Sequence, residues 1–143
     1  MIKKFAFGIA AATLAFTALP AMAQDEAEPP RTTYSINFLK FATNEDADKW
    51  SELNDKYWAP AAEAAGLPAQ TVHWMLDGEY QLMVIRPLPG GMASFDTHGS
   101  PERKAWLDAY TKIAGGEAAR DKLEEDNKGL VIDGKRFFSH THP

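Results

Sequence analysis

The side chains with the clearest reactive potential are four histidines, an asparagine and an arginine set among alternating apolar residues. The histidines are His73, His98, His140 and His142; His73 and His140 could share one sheet face, as general bases or as nitrogen ligands, roles that suit the imidazole side chain. His140-Thr141-His142 is an H-x-H pair, and on a strand its two rings point the same way, as a metal chelate requires. Met75 and Met83 share the odd-numbered alternation of His73, and their thioethers would suit Cu(I). No cysteine is present to complete a ligand set, so no metal or cofactor is assigned, and the methionines equally suit the lining of an adaptable cavity or interface. Asn37 offers an uncharged amide that can orient a phenol, a carbonyl or dioxygen without titrating; the plainer reading is a strand residue bonded to its neighbour. Arg86, just before Pro87, can clamp an anionic substrate, or simply stand at the surface. Asp96 and His98 form either an oriented base at a cavity rim or a solvated Asx turn. Asn37 and His73 are the catalytic candidates, and Asn37, His73, Met75, Met83, His140 and Arg86 the ligand-binding ones.

These residues need elements to position them. Tyr34, Ile36 and Phe38 alternate with Ser35 and Asn37, and Leu39 to Phe41 continues the run, which predicts a half-buried strand from Thr33. Thr43 or Asn44 offers an N-cap, with Glu45 and Asp46 against the positive helix end. Ala47, Trp50, Leu53, Asn54, Tyr57, Ala61 and Ala65 then recur at helical spacing. Pro60 should kink or restart that helix, and Gly66 with Pro68 beyond should end it. Residues 70–76 and 80–86 predict two strands around Asp77-Gly78. A three-residue loop with Gly78 left-handed would place Val72, Trp74 and Leu76 on one face with Tyr80, Leu82 and Val84; a tighter turn would reverse the pairing. Ser100-Pro101-Glu102 reads as a helix start, with Trp106, Tyr110, Ile113 and Ala114 inward. Gly115-Gly116 interrupts that helix, Glu117 to Asn127 resumes it, and Leu130 to His142 forms a short hairpin or a bulged last strand.

The N-terminus bounds where such a domain works. Lys3 and Lys4 precede an uncharged, mostly apolar run from Phe5 to Leu19, followed by Pro20 and Ala21-Met22-Ala23. That is the pattern of a secretory signal peptide, cleaved after Ala23 into the periplasm, and the run is short for a membrane span. Residues 24–32, acidic and proline-containing, read as a disordered leader, leaving residues 33–143 as one domain. Without Lys3 and Lys4 the net charge moves from −5 to about −7, which argues against nucleic acid or an anionic membrane as partner. The absence of cysteine means that the fold holds through its apolar core, without disulfides.

Strand, helix, strand, strand, helix, strand is a pair of split βαβ units, which predicts an α+β, ferredoxin-like βαββαβ fold: a four-stranded antiparallel sheet with helices on one face. By bulk, the covered face should carry Tyr34, Ile36, Phe38, Val72, Trp74, Leu76, Tyr80, Leu82 and Val84. The open face would then carry Ser35, Asn37, Leu39, His73, Met75, Gln81, Met83 and Ile85, with Phe138 and His140: a mixed surface that calls for a partner. On element order, length and this two-sided sheet, residues 33–142 resemble the dimeric α/β-barrel superfamily, which includes antibiotic-biosynthesis-monooxygenase-like and stress-responsive barrel proteins. The resemblance implies two protomers packed sheet to sheet, with a cavity beside each sheet. Some cofactor-independent monooxygenases and haem-degrading members place an asparagine on the first strand beside a cavity tryptophan and a histidine or arginine. Asn37 has that strand position; Trp74 would match only with the other hairpin register. Most known members are cytoplasmic, and the export signal departs from that. The resulting expectation is an exported homodimer binding a small apolar or aromatic molecule, with a cofactor-independent monooxygenase or isomerase as its enzymatic version. The alternatives are a periplasmic copper- or zinc-binding protein and a protein-interaction module.

Overall fold

The computed structural model describes residues 31–96 and 99–142. The expected signal peptide (1–23), nearly all of the expected leader (24–32), and His98 lie outside these described residues. β-Branched and aromatic residues favour an extended backbone, and Thr33–Phe41 is β1. Thr43 ends it by capping α1 (Asn44–Leu53): its Oγ1 accepts the Asp46 N–H at 3.1 Å. The same helical path then widens into a π-turn at Asn54–Trp58, where the Ala59 N–H reaches back to the Asn54 carbonyl, before α2 (Ala59–Ala64). Pro60 accounts for the widening. A proline ring crowds the carbonyl four residues earlier and donates nothing to it, and a wider turn relieves the clash. Gly66, at φ +68°, closes α2, with the Gly66 and Leu67 N–H groups on the Glu63 and Ala62 carbonyls at 2.9 Å each.

The hairpin pairs β2 (Thr71–Trp74) with β3 (Leu82–Leu88) in the register Val72↔Val84 and Trp74↔Leu82, with Gly78 at φ +92°. This is the register expected for the left-handed Gly78. The ladder stops sooner than expected, at the Met75 N–H on the Gln81 carbonyl (2.9 Å), and Leu76 is left wholly exposed. A 3₁₀ turn (Gly91–Phe95) leads to α3 (Pro101–Ala114), capped by Ser100 accepting the Arg103 N–H at 3.2 Å. α4 (Glu117–Asp126) follows, and β4 (Val131–His140) is one strand with a bulge where β1 passes Lys40 to Phe41. Gly134 permits that strand's close approach, since a Cβ there would stand 3.2 Å from the Phe38 carbonyl oxygen. The four strands lie in the order β2-β3-β1-β4, all neighbours antiparallel: the α+β, ferredoxin-like arrangement.

The covered face of β1 is the opposite of the one expected from bulk. Phe41, Ala47 and Leu82 form the buried core, with Leu39, Trp50, Val72 and Leu130 packed on it. Directly paired residues share a face, so Leu39↔Leu82, Asn37↔Val84 and Ser35↔Arg86 put Leu39, Asn37 and Ser35 under the helices. Tyr34, Ile36 and Phe38 face away. Tyr80 goes with them, its ring 5.8 Å from Phe38. Trp74 has the covered parity but sits on the short edge strand and is 47% exposed. The bulk criterion fails because both faces of β1 are apolar, and cross-strand register decides between them. Among the described residues no helix is long and apolar enough to cross a membrane.

Candidate functional site

The covered sheet face has two halves. Towards the end of β1, α1 fills the space with Ala47 and Trp50 against Leu39, Phe41 and Leu82. Towards its start the floor is Ser35 and Asn37, whose polar side chains bond to each other. Over this floor is a cavity of about 670 Å³ roofed by Trp58, Trp106 and Phe95 and flanked by Gln70, Arg86 and Arg136, with Glu102 and Arg103 also in its lining. The π-turn ends at Trp58, which follows buried Asn54 by four residues and precedes buried Ala61 by three, and its side chain joins the roof. There the Trp58 carbonyl accepts the Trp106 indole N–H at 3.2 Å, and Trp106 stacks obliquely on buried Tyr110, centroids 5.3 Å apart. Phe95 meets Phe138 of β4 edge-on at 5.2 Å.

A hydrogen-bond chain runs along the floor and one wall. Arg136 Nε donates to Asn37 Oδ1 at 2.8 Å, and Asn37 Nδ2 donates to Ser35 Oγ at 3.1 Å. On the other side of β1, Arg86 Nε and Nη2 both donate to Gln70 Oε1, at 3.3 and 2.9 Å. Gln70 Nε2 donates in turn to Oδ1 of Asn54, a buried residue of the π-turn whose Nδ2 is bonded to Asp55. Although the Arg86 side chain keeps contact with solvent, the cavity wall desolvates it. That desolvation, with repulsion from Arg136 second, lowers its pKa from the usual arginine value; an arginine nonetheless stays a cation in proteins. Two positively charged forks with free N–H groups, an uncharged amide floor and an aromatic roof can hold a flat organic molecule and hydrogen-bond acceptors on it.

Of the residues singled out in the sequence, Asn37 and Arg86 line this cavity, and His73, Met75, Met83 and His140 do not. His73 pairs with Met83 on the far side of the sheet from Asn37, so the expected convergence of Asn37, His73 and His140 on one face is overturned. His140, paired with Thr33, has the parity of Ser35 and lies beyond the cavity at the exposed strand end. Its ring does meet His142, Nε2 to Nε2 at 3.0 Å. Met83 is separated from that pair by the sheet, and no group of three His, Cys, Asp or Glu among the described residues could hold a metal. Sequence reasoning missed Arg136, Gln70 and Trp58. Arg136 was legible, being two residues before Phe138 and four before His140 on one alternation. Trp58 was legible as well, standing four residues after Asn54 and three before Ala61, both on the helix face already singled out. A shallower depression of about 790 Å³ along the outside of α2, lined by Asp55, Pro60, Glu63 and Gln70, has no aromatic wall and no cation, and offers less to a ligand.

No family model matches the chain, and no curated protein matches it. Among solved structures, the crystal structure of a dimeric ferredoxin-like protein from an uncultured marine organism aligns with 80% of this chain and 90% of its own, at 12% identity and a TM-score of 0.47.

Proposed function

We propose that the protein is an exported, homodimeric binding protein for a small molecule with an aromatic body, held between sheet and helices. The cavity carries this reading: about 670 Å³, with two tryptophans and a phenylalanine over a polar floor, within the roughly 300–1,000 Å³ usual for organic ligands. Asn37 and Arg86 are ligand-binding residues in it. The site therefore lies under the helices and not on the open sheet face. Catalysis by Asn37 and His73 together on one substrate does not fit opposite faces of a sheet, so binding is the activity the geometry supports. The periplasmic location rests on the signal-peptide pattern of residues 1–23. Homodimerisation rests on the apolar open face, where Ile36 pairs with Ile85 and with Phe137.

Calorimetric titration with indole, 1-naphthol and benzamide tests the reading. We expect saturable binding at one site per protomer, abolished by Ala62→Phe, which fills the cavity from α2 without touching the sheet. No binding tighter than about 1 mM by any of the three would overturn it.

A further inference from the structure

We infer that the ligand of this cavity is an anion, carrying a carboxylate held between Arg86 and Arg136; the inference rests on the binding role proposed above. Arg86 leaves β3 and Arg136 leaves β4, and their partners in register, Ser35 and Asn37, are neighbours on the same face of β1. The two guanidiniums thus flank one floor from opposite sides, and both line the cavity.

Their hydrogen-bond partners are amides without charge. Arg86 spends two N–H groups on the single oxygen of Gln70, and Arg136 one on that of Asn37. A guanidinium has five N–H donors, so each keeps free ones. Both amides are themselves held, Gln70 by buried Asn54 and Asn37 by Ser35, so they aim the arginines without neutralising them. Elsewhere among the described residues, Lys40, Lys104, Arg120, Lys122, Lys128 and Lys135 reach a carboxylate within 4 Å, while Lys49, Lys56, Lys112 and the cavity's Arg103 do not. Among the described residues neither Arg86 nor Arg136 does. Glu102 lines the same cavity, but it stands in the first turn of α3, where the helix end suits a negative charge, and it makes no ion pair among the described residues. Both side chains are exposed to solvent, and two like charges on one wall repel each other. A carboxylate between them removes that repulsion and takes up the free donors as charge-assisted hydrogen bonds. The aromatic roof then covers the ligand's body.

Benzoate and its uncharged isostere benzamide separate the two ideas. In the ¹⁵N-labelled protein, benzoate replacing chloride at constant ionic strength should move the Arg86 and Arg136 Nε–H signals along a saturating curve. Arg120, already paired with Asp121, should stay still. Arg136→Gln and Arg86→Gln should each weaken benzoate by about tenfold or more and weaken benzamide, which offers only a neutral acceptor, several-fold less. Equal affinity for benzoate and benzamide, or a benzoate affinity indifferent to both substitutions, would overturn the anion and leave the cavity reading standing. If neither compound moves the Trp106 indole signal, both readings fall together.

Discussion

Asn37 shows how much depends on a single uncharged side chain. Its oxygen is the acceptor for Arg136 at 2.8 Å, and replacing it by a carboxylate would supply from within the chain what the ligand is proposed to bring. Asn37→Asp should therefore raise the melting temperature, by an amount corresponding to about 1 kcal/mol, while weakening benzoate at least tenfold. Differential scanning fluorimetry and calorimetry would show both, and a variant that binds benzoate as before would break the link between them. Glu79 makes a different prediction at the same scale. Its hydrogen bond from Lys40 at 3.3 Å, then the Lys40 charge itself, hold its carboxyl below the ordinary 4.5. A carboxyl depressed in the folded state favours folding at pH values above 4.5 and loses that contribution as pH falls through its folded value. Glu79→Gln should lower stability slightly at neutral pH, have no effect once pH is below the folded value, and so flatten the acid side of the curve by that same small amount, since the pair is exposed. Melting curves at stepped pH would check it.

Between α1 and α2 the decisive element is the π-turn. Pro60 removes one backbone donor and crowds the turn before it; the chain answers by admitting one extra residue in the turn that ends at Trp58. Pro60→Ala restores the donor. The turn is expected to close to a regular helix, with helical circular dichroism increased, stability raised by about 1 kcal/mol, and indole affinity down at least tenfold as Trp58 rotates away. Unchanged indole binding in that variant would show that the bulge does not place the tryptophan. Caps and stops on these helices were readable in advance, because Thr43, Ser100 and Gly66 act on backbone groups within a few residues of themselves. The interruption at Pro60 was readable as well; its geometry was not, since a kink, a restart and a widened turn all answer the same lost hydrogen bond.

The molecule as a whole has one face left over. Ile36, Phe38, Met83, Ile85 and Phe137 lie on the sheet surface away from the helices, and Phe137 is 52% exposed with its ring 6.0 Å from that of Phe38. A partner copy covering this face would bury the kind of apolar centre that stable interfaces of about 800 Å² per protomer possess. Light scattering behind size exclusion should give a dimer at micromolar concentration, and Phe137→Glu a monomer that still binds indole; a monomeric parent protein would dismiss the sheet-to-sheet dimer. For export, the protein recovered from the periplasm should begin at Gln24 by intact mass. Material starting at Met1 would refute cleavage after Ala23.

Element order, helix ends and a sheet with one uncovered face follow from local patterns: period, caps, proline and glycine; of the two hairpin registers left open at Asp77-Gly78, the fold takes Val72↔Val84. Those patterns operate over a few residues, and a sequence displays them directly. Which face of β1 is covered belongs to the tertiary structure alone. Tyr34, Ile36 and Phe38 compete with Leu39 and Phe41 for the same burial, and the hydrogen-bonded register against β3 settles it in favour of the second set. That choice carries Ser35 and Asn37 under the helices, opens the cavity there, and sends His73 to the other side. Arg86 and Arg136, fifty residues apart in the chain, meet across β1 only because the strand order places one on each side of it.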